Sequence, residues 1–170
     1  GKPAKFSKPL EDVSRKTREI VGNHDDRQAF DRVLQNDLAL GRLVHAVEQR
    51  KVLRLDVDKE ADGRAYSVPK DNPFVDTKGA RGEIWAYGIR QCWKISFDTA
   101  TGALWAGEVG QDLWEMVYKV EKGGNYGWNL REGTEWFNPK NENKPLEAPY
   151  FDPGSAKFAD PIITYENLAS

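Results

Sequence analysis

Three short segments in which apolar and polar residues alternate constrain the fold of this chain more than any other feature. They run over Trp93–Phe97, Leu104–Glu108 and Trp114–Val120. Alternation with a period of two is typical of a strand that buries one face. Turn-forming residues separate the segments, among them Gly102 and Gly110. We therefore predict three consecutive antiparallel strands of an all-β domain.

The same stretch is rich in tryptophan, since residues 83–133 hold five of the six tryptophans in the chain. In the first segment the alternation places Trp93, Ile95 and Phe97 on one face, which we expect to be buried. Aromatic side chains contribute much of the packing in sandwich and propeller cores. We interpret most of the five as core anchors rather than as a platform that stacks on sugars. They are Trp85, Trp93, Trp105, Trp114 and Trp128.

Composition and charge exclude several classes of protein. Lys and Arg number 25 and Asp and Glu 27, so the net charge of −2 provides no field that would attract nucleic acid or a membrane surface. The single cysteine, Cys92, excludes an internal disulfide and any site that needs several cysteines. No apolar run is long enough to span a bilayer. The first residues do not read as a signal peptide, so the compartment is not indicated.

Residues 1–50 differ from the rest, and we interpret them as a helical segment whose origin the sequence does not indicate. Pro9–Val21 has the proline and the apolar spacing of a first helix. Asp25 can cap a second helix, in which apolar residues recur every three or four positions up to Val47. The segment is either an insertion that caps the sheet or a part foreign to the β domain. We interpret His24 and His45 as solvated side chains.

The strand pattern begins at Lys51. Leu53, Leu55 and Val57 share one strand face. The acidic loop over residues 58–63 lacks the ligand spacing of an EF-hand, so we predict no calcium loop there. After Gly133 a long loop with four prolines leads to residues 162–165, which we predict to begin another strand.

The sequence between residues 85 and 128 carries a resemblance. It reads WAYGIRxxWxxSFDxATGxLWxGxVGQxxWExxxxVxKGGNYGW, with KVLRLDV and PKDNPF before it and DPIITY after it. This series of motifs resembles the glucose/sorbosone dehydrogenase family, quinoproteins that fold as six-bladed β-propellers, and it covers about 115 of the 170 residues. The resemblance implies that residues 51–170 are a partial propeller of about two blades.

The resemblance also implies residues that bind a cofactor. In the family the turn after the YG pair supplies an arginine and an asparagine to pyrroloquinoline quinone; Arg90 and Gln91 stand at these positions here. A guanidinium group suits the carboxylates of that cofactor. The alternative role for Arg90 is to pair with a carboxylate of the protein itself. Gln91 in place of asparagine and Cys92 in place of proline are departures from the family pattern.

Two cation sites are implied in the same way. The main-chain carbonyl groups of Gly110 and Gln111 would bind the calcium ion that holds the quinone. Glu115 and Tyr126 would contribute to a second, structural calcium site. Met116 replaces an acidic residue beside Glu115, which removes one hard ligand from that second site.

The resemblance therefore implies a function for the parent protein. It would oxidise an aldose or a similar sugar, with hydride transfer to calcium-bound pyrroloquinoline quinone, and would be periplasmic or secreted; its redox partner is not indicated. The catalytic histidine motif of the family is absent from these 170 residues, so we expect no turnover by this segment alone. The alternative is a non-catalytic β-propeller that serves as a binding module in a larger protein, because fold does not determine function.

Overall fold

The computed structural model describes residues 34–36, 43–48, 50–141 and 144–167. In these residues the chain is all-β, and no helix is present. The strands are β1 Leu34–Asn36, β2 Leu43–Glu48, β3 Lys51–Asp56, β4 Ile84–Tyr87, β5 Cys92–Phe97, β6 Leu104–Val109, β7 Trp114–Val120, β8 Arg131–Glu132, β9 Glu135–Trp136 and β10 Ile163–Glu166. The described part therefore contains no helix that could cross a membrane.

The first four strands form one antiparallel sheet in sequence order. β2 pairs with β3 from Leu43↔Asp56 to Glu48↔Lys51, so the predicted helix is wrong over residues 34–36 and 43–48. The apolar residues of β2 fit both periods, and pairing with β3 decides in favour of the strand. The division at residue 51 falls inside this hairpin. The helix predicted over Pro9–Val21 lies outside the described residues.

The second sheet has the order β10-β7-β6-β5 and is antiparallel throughout. β5, β6 and β7 coincide with the three alternating segments, which confirms that prediction. β10 confirms the strand expected after the proline-rich loop. A small hairpin of β8 and β9 lies between β7 and β10 in the sequence. Two consecutive four-stranded antiparallel sheets are the kind of unit from which β-propellers are built.

Trp93 does not lie on the buried face that its alternation predicts. Cys92 is opposite Glu108 and Lys94 is opposite Gly107, so β5 carries one extra residue between these pairs. Such a β-bulge turns the following side chains to the other face. Cys92 and Ile95 are buried, whereas Trp93 is 64% exposed.

The main core lies between the two sheets. Val52 and Ala86 come from the first sheet and pack with residues from all three of β5, β6 and β7. Its largest fully buried side chains are Tyr118 and Tyr126, whose rings meet edge to face with centroids 4.7 Å apart. None of the five tryptophans is fully buried; Trp85 and Trp114 pack against the core from its margin. The interpretation of most tryptophans as core anchors is therefore wrong for the centre of the core, which tyrosines fill.

Candidate functional site

Three distant chain segments meet at Gly88. Its main-chain N–H donates to the carbonyl of Arg50 (2.9 Å), and its carbonyl accepts from the N–H of Trp128 (2.8 Å). Gly88 has a φ of +78°, and a Cβ atom there would lie 2.6 Å from Asn125 Oδ1 and 2.8 Å from Gly127 N. Only glycine fits this crossing. Gly88 therefore brings the β2–β3 turn, the Arg90 turn and the Trp128 loop together.

Arg90 is held through two of the three nitrogens of its guanidinium group. Nε donates to Gln111 Oε1 (2.9 Å), and Nη1 donates to the carbonyl groups of Gly110 (2.8 Å) and Val109 (3.4 Å). The guanidinium carbon lies 5.5 Å from the centroid of the Trp128 ring, within cation–π distance. In the described residues no hydrogen bond uses Nη2. The half-buried guanidinium group is thus fixed in place by Nε and Nη1, while Nη2 binds none of these acceptors.

The turn that receives Arg90 is fixed from its other side by Glu132. One oxygen of this carboxylate, Oε1, accepts from the main-chain N–H groups of Asp112 (2.8 Å), Leu113 (3.2 Å) and Trp114 (3.4 Å). Glu132 is 2% exposed, and its second oxygen, Oε2, is buried with no hydrogen-bond partner in the described residues. The amides of the turn thus face an anion while the carbonyl of Gly110 faces a cation.

Gly110 is the residue on which this arrangement depends. A Cβ atom at Gly110 would lie 1.7 Å from the carbonyl oxygen of Trp114 and 2.4 Å from Glu132 Oε1. Neither neighbour is the free end of a flexible chain, since one is backbone and the other is bound to three amides. The glycine predicted to bind calcium through its carbonyl is therefore required here by packing alone.

Glu108 fixes the Arg90 turn in the same manner. Its carboxylate accepts a hydrogen bond from the main-chain N–H of Arg90 and lies beside the N–H of Gln91 and the hydroxyl of Tyr118. Burial raises the pKa of the Glu108 carboxyl to about 7, and the Arg90 amide and charge oppose that effect. Glu108 follows Leu104 and Ala106 on the buried face of β6.

Gln91 and Glu115 are the next two predicted site residues. The side chain of Gln91 is exposed, and its main-chain carbonyl accepts from the N–H of Val109 (2.9 Å). Glu115 lies in the field of Glu132 and Arg90: burial and the charge of Glu132 raise the pKa of its carboxyl, and Arg90 opposes them. Arg90, Gly110, Gln111 and Glu115 are thus brought together.

The side chain of Tyr126 is held away from that group. Its hydroxyl accepts from the N–H of Glu121 (2.8 Å) and donates to the carbonyl of Lys119 (3.0 Å). Lys119 is four residues beyond Glu115 on β7, roughly 13 Å along an extended strand. The described residues contain no group of three or more His, Cys, Asp or Glu side chains suited to a metal ion. The second calcium site stays a prediction that this geometry does not favour.

Sequence reasoning missed four residues of this region: Arg50, Glu108, Trp128 as a partner of Arg90, and Glu132. For Glu108 a signal was present, because an acid at a core-facing position of an alternating strand is unusual. Glu132 follows no comparable pattern, since β8 has only two residues. Arg50 lay in the segment interpreted as helix.

Comparison with known proteins gives the family. A model of the family described as Glucose / Sorbosone dehydrogenase matches residues 43–166, more than half of the chain. HIPL1 protein of Arabidopsis thaliana is 42% identical over 100 residues, which are 53% of this chain and 14% of that protein. Aldose sugar dehydrogenase YliI of Escherichia coli (strain K12) is 43% identical over 63 residues, 37% of this chain and 17% of that protein.

Quinoprotein glucose dehydrogenase B of Acinetobacter calcoaceticus is 37% identical over 78 residues, 46% of this chain and 14% of that protein. Among solved structures, the soluble aldose sugar dehydrogenase of Escherichia coli in the apo-form gives a TM-score of 0.58 at 24% identity, over 79% of this chain and 39% of that one, which concerns the fold alone. The chain thus spans 14% to 17% of the length of these curated relatives. It belongs to the glucose/sorbosone dehydrogenase family.

Proposed function

We propose that this chain is part of a quinoprotein oxidoreductase that oxidises an aldose or similar sugar with hydride transfer to calcium-bound pyrroloquinoline quinone. Family membership and the names of two relatives, an aldose sugar dehydrogenase and a quinoprotein glucose dehydrogenase, support the sugar and the quinone. The parent protein would be the enzyme, because the chain spans a small part of its relatives. Six propeller blades and a periplasmic or secreted location stay expectations drawn from the family.

The observation that carries the proposal is the hydrogen bonding of the Arg90 guanidinium group. Its Nε and Nη1 are committed to Gln111, Gly110 and Val109, while Nη2 has no acceptor in the described residues. A guanidinium group that is already fixed loses little side-chain entropy when it binds an anion. Pyrroloquinoline quinone bears three carboxylates, and one of them would accept a hydrogen bond from an N–H of Nη2.

The donor set around Gly110 fits a calcium ion in part. Calcium takes six to eight oxygen ligands, including main-chain carbonyls. Gly110 and Gln111 would supply two, with the Gly110 oxygen shared between the cation and Arg90 Nη1 through its two lone pairs. The remaining ligands would come from the quinone or from other parts of the parent protein. When bound, the calcium–quinone pair would supply the hydride-accepting carbonyl, and Arg90 and the Gly110 turn would bind and orient it.

The second candidate function is a non-catalytic binding module. Arg90 favours it in one respect, because three acceptors within the chain already engage its guanidinium group, so that a purely structural role is self-sufficient. The exposed Gln91 side chain agrees with that role, since no acceptor in the described residues holds its amide toward Arg90.

Titration of the full-length, calcium-loaded apoprotein with the quinone separates the two functions. Arg90→Ala should weaken quinone binding by well over tenfold, by analogy with truncated charge pairs that cost about 2–5 kcal/mol. Gln91→Asn, which restores the residue of the family, should leave binding equal or tighter. Arg90→Lys keeps the charge and should recover part of the loss. If the wild-type protein binds no quinone in excess calcium, the enzyme hypothesis fails and the binding module is favoured.

A further inference from the structure

Arg50 and Arg90 both contact the indole ring of Trp128. The guanidinium carbon of Arg50 is 6.0 Å from the centroid of Trp128, and that of Arg90 is 5.5 Å from it. Both distances are within the range of cation–π contact. The backbone enforces this proximity, because Gly88 bonds to the carbonyl of Arg50 on one side and to the N–H of Trp128 on the other.

The backbone of Arg50 is itself unusual. Glu48 pairs with Lys51, so a two-residue turn joins β2 to β3, and Arg50 has a φ of +69° in it. Turns of this length favour Gly and Asn, since other L residues adopt a positive φ only at a cost. A strained arginine at a position suited to glycine points to a use of the side chain rather than of the turn.

Neither cation forms an ion pair with a carboxylate in the part of the chain that the structure describes. The other four arginines among the described residues do: Arg54 pairs with Asp71, Arg64 and Arg81 with Glu83, and Arg131 with Asp160. Arg50 is exposed and Arg90 half-buried, so an anion could reach both. Two guanidinium groups contact one aromatic ring, and each has N–H donors left for an anion. Together they present two positive charges to a ligand.

We propose that Arg50 and Arg90 together form a site at Trp128 for a single ligand that carries two or more carboxylates. A monocarboxylate would engage one guanidinium group, whereas a dicarboxylate would engage both and gain from the second contact. Where the ligand is the quinone, this inference rests on the proposed function and makes Arg50 a second cofactor-binding residue. For any other polycarboxylate it is independent of that function.

The test uses full-length apoprotein without calcium, titrated with benzene-1,3-dicarboxylate and with benzoate by calorimetry. The wild-type protein should bind the dicarboxylate at least about fivefold more tightly than benzoate. Arg50→Gln should weaken dicarboxylate binding about fivefold, the upper range for an exposed ion pair, and benzoate binding less than twofold. Lys78→Gln is the matched control: it also removes one exposed cation, but from the loop at the opposite end of β3 and β4. It should change neither affinity.

A further variant separates binding from stability. Arg50→Gly relieves the positive φ and should raise the melting temperature, yet it should weaken dicarboxylate binding as much as Arg50→Gln does. Arg50→Lys should recover part of the affinity. If Arg50 had only a structural role, affinity would follow stability, and the more stable variant would bind the dicarboxylate at least as well as the wild-type protein. That result would overturn the proposal.

The remaining outcomes distinguish this inference from the proposed function. If the calcium-loaded protein binds the quinone through Arg90 but Arg50→Gln behaves like Lys78→Gln toward both quinone and dicarboxylate, the proposed function stands and the two-arginine site is wrong. If the protein binds no quinone but prefers the dicarboxylate in an Arg50-dependent way, the proposed function fails and the site stands. Equal affinity of the wild-type protein for dicarboxylate and benzoate would contradict the site directly.

Discussion

The two ends of the first sheet treat buried charge in opposite ways. At the end formed by the loop between β3 and β4, the buried carboxylate of Glu83 is bound by cations and a hydroxyl: Arg64 Nη1 lies 2.8 Å and Tyr66 Oη 2.9 Å from Oε1. Burial alone would raise the pKa of Glu83. Its own amide and Tyr66, with the charges of Arg81 and Arg64, outweigh burial and leave that pKa below its ordinary value.

At the Arg90 end the buried acids are bound mainly by the backbone. Glu132 accepts three main-chain N–H groups, and Glu108 accepts the N–H of Arg90. Burial raises the pKa of Glu108 to about 7, the opposite direction to Glu83. The arginines of this end, Arg50 and Arg90, lie at Trp128 instead of forming ion pairs with these carboxylates.

The difference indicates what each end is for. Where acids and cations neutralise one another within the chain, the charges stabilise a loop and little is left for a ligand. Where amides hold the acids, the acids fix main-chain turns and the cations keep donors for an external anion. This contrast supports the proposal that the Arg90 end binds a ligand, and the following predictions test it.

The largest effect is expected for Gly110→Ala. The new methyl group would overlap the carbonyl of Trp114 and Glu132 Oε1, so the turn must move. We expect the free energy of unfolding of the full-length protein to fall by at least about 3 kcal/mol. Gly107→Ala is the control, because the nearest atom to its Cβ is 3.9 Å away. Equal melting temperatures for the two variants would show that the turn is not tightly held.

A somewhat smaller loss is expected for Glu132→Ala. It leaves the N–H groups of Asp112, Leu113 and Trp114 without their buried acceptor, which should lower the free energy of unfolding by about 2–3 kcal/mol. Glu132→Gln keeps an acceptor oxygen and should lose less. Denaturant unfolding gives both values, and an alanine variant as stable as the wild-type protein would mean that water replaces the carboxylate.

The pH dependence of Glu83 should be modest and of defined sign. Because its folded pKa lies below the ordinary 4.5, its contribution is present above pH 4.5 and is lost as the pH falls through the folded pKa. Glu83→Gln should therefore be less stable than the wild-type protein at pH 7, and this difference in stability should narrow toward pH 3, modestly because partly exposed partners weaken the effect. Thermal melts at several pH values measure it; a gap that widens on acidification contradicts the assignment.

The smallest effect is expected for Trp93→Ser. Trp93 is close to the Arg90 turn in sequence, but the bulge leaves it 64% exposed. We expect a change within about 0.5 kcal/mol, against about 2–4 kcal/mol for Ile95→Ala in the adjacent core. Comparable losses for the two variants would place Trp93 in the core after all, as its alternation first predicted.

Much of the fold could be predicted because strand alternation is a local property. β5, β6, β7 and β10 follow from the pattern of their own residues. Features that depend on a partner strand could not be read in this way. The bulge at Trp93 exists only relative to Gly107 and Glu108, and β2 is a strand because β3 pairs with it.

Residues of the site could be predicted only where they belong to a sequence motif of the family. Arg90 and the Gly110–Gln111 pair came from the resemblance, and the structure brings them into contact. Glu132 and Arg50 were missed because their roles arise from tertiary contacts about 20 to 80 residues away in sequence. A buried acid that binds amides and a surface acid look alike in a sequence, since only packing separates them.

The crossing at Gly88 has a consequence for the order in which the protein folds. Arg50, Gly88 and Trp128 are separated by intervals of about 40 residues, so each contact closes a long loop before any local contact compensates the lost chain entropy. The β5–β6–β7 meander needs only short turns and should form first. Amide protons at Gly88 and Trp128 should then acquire protection from solvent exchange late in refolding, after those of the meander, so that the candidate site is assembled last.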